Sequence, residues 1–216
     1  MGDGAWEPSP EVGELSGARA ERRATRPLAG EQGARRGPAG PGPQRLVHQP
    51  GHTLHVARVP VSEALLRRAA PAEAAQLSAL ALRSKAHWGY DAAFLAACVE
   101  ALRLSPARLA ASPFVVLELD GLVLGFYGLA VDDEAAELAY LFVEPRAIGR
   151  GFGKLLWRHA VDTARELGCR RLRVAADPFS EPFYRAMGAR RVGEVPSEAV
   201  YGRMLALLSY ALDEPQ

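Results

Sequence analysis

Three glycines stand at alternate positions in the segment IGRGFGKLLW, and a lysine and an apolar run follow them. Gly149, Gly151 and Gly153 carry no side chain, so a ligand could approach the backbone closely at each position. The apolar run predicts a helix, and the start of a helix offers free N–H groups and a positive dipole to a phosphate. A plain turn would need only one glycine. The spacing therefore predicts a phosphate-binding loop.

Two well-known phosphate-binding loops do not match this segment. A Walker A loop needs a glycine five positions before its Gly-Lys pair and a hydroxyl residue after the lysine, but Ile148 and Leu155 stand there. A Rossmann loop needs a third glycine where Lys154 stands, and it opens a parallel βαβ unit. The strands expected before this loop are antiparallel. The segment therefore predicts neither a P-loop nucleotide site nor a dinucleotide site.

The elements around the loop alternate between strand and helix patterns. FVVLEL and LVLGFYGLAV flank Asp120-Gly121, which predicts a hairpin because a type I′ turn needs positive φ at both central residues. A third strand, residues 136–143, leads into the loop, and the helix after the loop is expected to end at Gly168. A strand that follows a helical crossover lies parallel to the strand before it, whereas hairpin-linked strands are antiparallel. The predicted fold class is therefore α/β, with a mixed, mostly antiparallel central sheet flanked by helices.

The remaining elements are predicted from the spacing of apolar residues. Ala75, Leu77, Leu80 and Leu82 predict the buried side of a first helix, and Asp91 is expected to cap a second. In chain order, these further elements are a strand over 62–71 with 64–69 as its core, helices over 72–88 and 92–103, a helical turn at SPARLA, and strand, short helix, strand and strand from residue 170 onward.

Composition excludes several classes of protein. A formal net charge of +1 over 216 residues argues against a surface built for nucleic acid or for an anionic membrane. Charges interrupt every long apolar run and no signal-peptide pattern is present, so a cytoplasmic location is predicted. Cys98 and Cys169 are expected to be free buried thiols. Residues 1–50 are rich in Gly, Pro and Arg and predict a disordered tail, ahead of a folded domain over 61–216.

A short motif around the loop carries a family resemblance. R-x-x-G-x-G stands at Arg146, Gly149 and Gly151, after a strand and before a long helix, and FYRAMGARRVGE follows later in the chain. These segments resemble the GCN5-related N-acetyltransferase (GNAT) superfamily, whose signature is [Q/R]-x-x-G-x-[G/A] at this place in this order of elements. The resemblance covers residues 61–216 and implies an acetyl-CoA-dependent N-acetyltransferase.

The resemblance implies acetyl-CoA as co-substrate and no metal. Its pyrophosphate would lie on the backbone N–H groups of the loop, and its pantetheine arm would pair with the strand before the loop like an additional strand. A main-chain N–H of that strand would polarise the thioester carbonyl. The predicted coenzyme-binding residues are Leu141, Phe142, Val143, Arg146, Ile148, Gly149, Arg150, Gly151, Phe152, Gly153 and Lys154.

Two residues are expected to act in the chemical step. An acceptor amine with a pKa of about 10.4 must lose a proton, and Glu137, at the start of the strand before the loop, matches the place where the family often has a base. Nearby acidic alternatives are Asp132, Asp133 and Glu134. Tyr184 matches the family position whose phenol protonates the departing thiolate. Asp177 stands where the family often has an asparagine that contacts the coenzyme, which puts that contact in doubt.

The acceptor is predicted only as a primary amine, on a small molecule or a peptide. The resemblance implies that His87, Trp88 and Tyr90 belong to one wall of the acceptor site, and Arg203 is a further candidate. No nucleic-acid or membrane partner is expected, and a homodimer is allowed. Two alternatives stay open: transfer of another acyl group or to a hydroxyl, and a non-catalytic acyl-CoA-binding or protein-interaction module on the same fold.

Overall fold

The computed structural model describes residues 63–132 and 135–213. The tail predicted over 1–50 and the alternative bases Asp133 and Glu134 lie outside these ranges. Within them, a seven-stranded sheet and five α-helices form the domain. The strands are β1 Leu65–Arg68, β2 Phe114–Leu119, β3 Leu122–Val131, β4 Ala135–Val143, β5 Arg171–Ala176, β6 Arg190–Pro196 and β7 Met204–Ala211; the helices are α1 Ala74–Ala86, α2 Ala92–Ala101, α3 Pro106–Ala111, α4 Phe152–Glu166 and α5 Glu181–Ala186.

The sheet has the order β1-β2-β3-β4-β5-β7-β6. β4 and β5 are parallel because the chain crosses between them through α4, and every other pair is antiparallel. This confirms the predicted mixed, mostly antiparallel sheet. The predicted hairpin is also confirmed, with φ of 51° at Asp120 and 74° at Gly121.

The parallel pair in the middle of the sheet separates soon after it begins. β4 and β5 pair only from Ala135 opposite Arg171 to Glu137 opposite Arg173. Just beyond, the register with β3 shifts, since Leu138 lies opposite Leu129 and Tyr140 opposite Gly128. Such a bulge bends a strand. The two central strands therefore diverge and leave a gap within the sheet.

Helices cover both faces of the sheet. α1 and α3 bury residues against Phe114, Phe126 and Tyr140 on one face, whereas α4 packs in a second apolar cluster on the other face. In α1 the predicted stripe is partly wrong, because the helix buries Ala74 and Ala81 beside Leu77 and Leu80, whereas Ala75 is exposed and Leu82 is half-buried. The stripe follows the helical period of 3.6 residues more closely than the predicted spacing did.

Several local predictions are met by the structure. The Asp91 carboxylate accepts a hydrogen bond from the Phe94 N–H at 2.7 Å and caps α2. Cys98 and Cys169 are buried free thiols. Within the described residues, no helix is long and apolar enough to cross a bilayer.

Candidate active site

The glycine loop connects β4 to α4 by two left-handed residues. Gly149 has φ of 78° and Gly151, which is the N-cap of α4, has φ of 91°. Both values are costly for a residue with a Cβ, so these two glycines are required by the backbone. Gly153 lies inside the helix, where an added Cβ would be 3.7 Å from the Phe183 ring, an ordinary contact distance. The backbone itself therefore requires glycine at 149 and 151, whereas at 153 it does not.

The loop presents hydrogen-bond donors at the start of α4. The first bond of the helix runs from the Leu155 N–H to the Gly151 carbonyl at 3.1 Å. The N–H groups of Phe152, Gly153 and Lys154 precede that bond, so they have no acceptor within the helix. α4 is 15 residues long, and its dipole adds positive potential at this end. These donors fit a pyrophosphate group.

A cavity of about 550 Å³ extends from the glycine loop into the gap between β4 and β5. Its walls come from β4, the loop, β5, α5 and the connection between α1 and α2. Of the residues predicted to bind coenzyme, those that line it are Leu141, Phe142, Val143, Ile148, Gly149, Gly151, Gly153 and Lys154. The cavity therefore joins the phosphate-type loop to the point where the strands diverge.

Three of the predicted coenzyme-binding residues are outside the lining of this cavity in the described part of the chain. Arg146 is exposed in the turn after β4. The Arg150 guanidinium lies 5.4 Å from the centre of the Phe152 ring, rather than at the cavity wall. The Phe152 side chain is fully buried in the core, so only its backbone N–H is available to a ligand.

Tyr184 lies on α5 and lines the cavity. Its side chain is 5% exposed and packs beside Trp157, with ring centres 5.5 Å apart. Burial raises the pKa of Tyr184 far above its ordinary value, and the negative charge of Asp177 adds to the effect. The phenol is therefore protonated at neutral pH, and it is a weaker acid than a free tyrosine.

Glu137 lies on β4 at the last paired position before the gap. It is half-buried and is absent from the lining of the described cavity, whereas its neighbours Leu138 and Ala139 line it. Burial raises the pKa of Glu137, and the charge of Glu198 raises it further, against the opposing effects of Arg108 and Arg173. Its carboxylate is thus a stronger base than an exposed one. Asp132, the described alternative, instead accepts a hydrogen bond from the Ala135 N–H at 2.8 Å in the turn before β4.

Tyr90 and Arg203, both predicted as acceptor-site residues, meet at Asp177. The Tyr90 hydroxyl donates to the Asp177 carboxylate at 2.5 Å and accepts from the Arg203 guanidinium at 2.8 Å. Arg203 also donates to Asp177 at 3.1 Å, and Lys85 does so at 3.1 Å. Burial alone would raise the pKa of Asp177, but the hydrogen bonds from Tyr90 and Lys85 hold it below its ordinary value. We call these four residues the Asp177 network.

Aromatic rings surround this network. Trp88 stacks on Phe179, with ring centres 5.6 Å apart and planes at 14°, and both line the cavity. The Arg203 guanidinium lies 4.6 Å from the centre of the Phe94 ring, which stacks on Tyr90. His87, also predicted as an acceptor-site residue, is exposed and contacts the edge of Trp88, and it is outside the lining of the described cavity.

Sequence reasoning missed two members of this wall and misjudged a third. Lys85 and Phe179 were not predicted, although Lys85 opens the string KAHWGY and Phe179 stands two residues after Asp177. Asp177 was considered only as a departure from the family's asparagine, and the two cations that pair with it were not predicted. A buried Asp177 would need cationic partners, so the sequence could have been searched for lysine and arginine residues in distant segments to pair with it.

Among the residues that the structure describes, no group of three or more His, Cys, Asp or Glu side chains is placed to hold a metal ion together.

Comparisons with known proteins agree on one family. Residues 79–189 match the model of the Acetyltransferase (GNAT) family. A GCN5-related N-acetyltransferase from Rhodopseudomonas palustris is similar in fold, with TM-score 0.58 and 20% identity over 68% of this chain and 94% of that one. PaiA N-acetyltransferase from Thermoplasma acidophilum, solved with coenzyme A, gives TM-score 0.59 and 16% identity over 68% and 98%. The structure of yncA from Salmonella typhimurium, with its cofactor acetyl-CoA, gives TM-score 0.51 and 23% identity over 71% and 96%.

No curated protein gave a significant match. The three solved structures establish the fold alone at these identities, whereas the family model spans just over half of the chain. This protein therefore belongs to the GNAT family of acetyltransferases.

Proposed function

We propose that this protein transfers an acetyl group from acetyl-CoA to a primary amine, by direct attack of the amine on the thioester. The observation that carries the proposal is the continuous cavity, which runs from the N–H donors of α4 to the point where β4 and β5 diverge. The relatives solved with coenzyme A or acetyl-CoA support the choice of donor.

The glycine loop and β4 would hold the coenzyme. The N–H groups of Phe152, Gly153 and Lys154 fit its pyrophosphate, and the Lys154 side chain adds a positive charge at the cavity wall. The unpaired edge of β4 beyond Glu137 offers backbone donors and acceptors along the gap. When bound, acetyl-CoA supplies an activated acetyl group as a thioester.

Glu137 would remove the proton from the acceptor amine. A base works best when its pKa lies near the working pH, and burial shifts the pKa of Glu137 in that direction. Glu137 is the last residue of β4 that pairs with β5, and the gap begins directly after it, which supports this role. Tyr184 would donate a hydrogen bond and then a proton to the departing sulfur. Because burial makes it a weak acid, its contribution to the rate should be near the lower limit for general acid catalysis.

The variant Gly151→Glu tests the proposal at the coenzyme loop. It places a negative charge at the N-cap of α4, and like charges brought together cost several kcal/mol. We expect acetyl-CoA affinity to fall about a hundredfold or more, as measured by calorimetry, and acetyl transfer to fall with it. Thiol release from acetyl-CoA, followed over a panel of primary amines, gives the activity of the wild-type protein.

Gly168→Glu is the matched control for this variant. Gly168 follows the other end of α4, has φ of 79° and has no atom within 4 Å of an added Cβ. It therefore experiences a similar backbone strain and the same added charge, far from the cavity, and its acetyl-CoA affinity should be unchanged. Undiminished binding in Gly151→Glu would refute the coenzyme site. Binding of acetyl-CoA by the wild type without turnover of any amine would instead favour the non-catalytic alternative.

A further inference from the structure

Two large aromatic side chains are exposed together at the cavity. Trp88 is 41% exposed and Phe179 is 49% exposed, and their rings are stacked. Trp88 belongs to the connection between α1 and α2, whereas Phe179 follows β5, so the fold brings them together from distant segments. Exposed apolar surface that lines a cavity is typical of a ligand contact. We call this pair the aromatic platform.

The aromatic platform is held from behind. The Tyr90 ring meets the edge of Phe179, with centres 5.4 Å apart. Tyr90 is itself held by its hydrogen bonds with Asp177 and Arg203, and Phe94 stacks on it with ring centres 4.0 Å apart. A flat group that binds here would therefore meet a preorganised surface and would not have to order loose side chains.

The platform lies apart from the segment that fits the pyrophosphate. Trp88 belongs to the α1–α2 side of the domain, and α1 packs on the face of the sheet opposite to α4. The glycine loop leads directly into α4. The cavity extends from the glycine loop, past the point where β4 and β5 diverge, to the aromatic platform. A second substrate would therefore approach from the side of the aromatic platform.

The charge of this wall is positive. Lys85 and Arg203 share the single carboxylate of Asp177, which leaves one surplus positive charge beside the aromatic platform. Around Glu137 the carboxylates of Glu137, Glu198 and Asp132 outnumber the two guanidinium groups of Arg108 and Arg173, so the positive surplus is confined to the Asp177 network. A polycationic acceptor, such as a polyamine, would therefore meet repulsion at the platform.

We propose that the aromatic platform selects acceptors, so that the substrate is an amine that carries a flat apolar group and no second positive charge. The inference rests on the proposed acetylation of amines and narrows its substrate class. Stacking against Trp88 and Phe179 would orient the flat group, and the amine would extend from it towards the gap and Glu137.

Three amines test this selection with acetyl-CoA and the full chain. They are 2-phenylethylamine, its saturated analogue 2-cyclohexylethylamine, and spermidine. We expect kcat/KM to be highest for 2-phenylethylamine and lowest for spermidine. Trp88→Ala should lower kcat/KM for 2-phenylethylamine by about two- to tenfold, the range expected for one aromatic contact, with an unchanged KM for acetyl-CoA. Trp88→Phe keeps a ring and should retain most of the activity.

Tyr201→Ala is the control, because Tyr201 is a fully exposed aromatic residue that is absent from the lining of the described cavity. Its kinetics should match the wild type. Equal kcat/KM for the two ring-bearing amines, or a preference for spermidine, would overturn the inference and leave amine acetylation intact. An increase in the KM for acetyl-CoA in Trp88→Ala, in place of the loss for the amine, would assign the aromatic platform to the coenzyme and also overturn it. Coenzyme binding without turnover of any amine would remove the proposed function and this inference together.

Discussion

Asp177→Asn removes one negative charge from a nearly enclosed network and leaves two cations facing each other. The Asp177 carboxylate accepts hydrogen bonds from Tyr90 at 2.5 Å, from Lys85 and Arg203 at 3.1 Å each, and from the Phe179 N–H at 3.2 Å. The amide of asparagine keeps one acceptor oxygen, but it cannot neutralise either cation. We therefore expect the folded domain to lose stability.

The size of the loss follows from the exposure of the network. The side chains of Lys85, Asp177 and Arg203 are only 18–19% exposed. Removal of one partner from a buried ion pair costs about 3–5 kcal/mol, whereas exposed pairs contribute about 0–1 kcal/mol. With a fifth of each side chain in water and one acceptor kept, we expect a loss of about 2–3 kcal/mol in the free energy of unfolding. For a domain of this size the melting temperature should fall by about 4–12 °C.

The same variant has a pH signature. The pKa of Asp177 is lowered in the folded state, so its stabilising effect is fully present above the unfolded-state pKa of about 3.9 and is lost as the pH falls through the folded-state value. The difference in melting temperature between wild type and Asp177→Asn should therefore be full at pH 7 and should shrink progressively below about pH 4.

Differential scanning calorimetry at pH 7 and at pH 3 measures both effects. Asp162→Asn is the matched control, because Asp162 is 66% exposed and pairs with Arg165 one turn along α4. Its free energy of unfolding should change by no more than about 0.5 kcal/mol. A melting temperature for Asp177→Asn within a degree of the wild type at pH 7 would refute our account of the network. So would a difference that persists undiminished in acid.

Three further predictions concern the chemical step and the packing of the sheet. Tyr184→Phe should lower kcat about a hundredfold with little change in the KM for acetyl-CoA, and an unchanged kcat under conditions where chemistry limits the rate would leave Tyr184 a packing residue. Glu137→Gln should abolish the rise of kcat with pH that titration of this carboxylate produces, and a pH–rate profile identical to the wild type would assign the base elsewhere. Gly128→Ala would force a methyl group into the Phe114 ring and should lower the free energy of unfolding, measured in urea, by about 1–3 kcal/mol. Gly193→Ala is the control, because its added methyl group has open space and should leave the stability nearly unchanged. Equal stabilities of the two variants would contradict this contact between β3 and Phe114.

Much of the fold could be predicted from the sequence because it depends on neighbours in the chain. The turn at Asp120-Gly121 and the cap at Asp91 follow from local backbone preferences, and glycine at 149 and 151 suits the left-handed backbone found there. The order of elements around the loop then determined that β4 and β5 are parallel. Local rules failed where a side chain could face either of two directions. For Phe152, local patterns did not indicate that the ring would be buried in the core, which leaves only its backbone N–H for the predicted contact with the ligand.

The sequence by itself determined that this chain has a phosphate-type loop between a strand and a helix, and that its fold is a mixed sheet. Only the tertiary structure decided which side chains meet in the Asp177 network and at the stacked pair of Trp88 and Phe179. The hydrogen-bonded pairs of the Asp177 network join residues that are up to 113 positions apart in the chain. Trp88 contacts Phe179 only because the ends of α1 and β5 lie together at one end of the gap. The physical reason is that charge compensation and ring stacking act over a few ångströms in space. The sequence shows which groups are present, whereas the packing of helices on the sheet determines which of them lie close enough to interact.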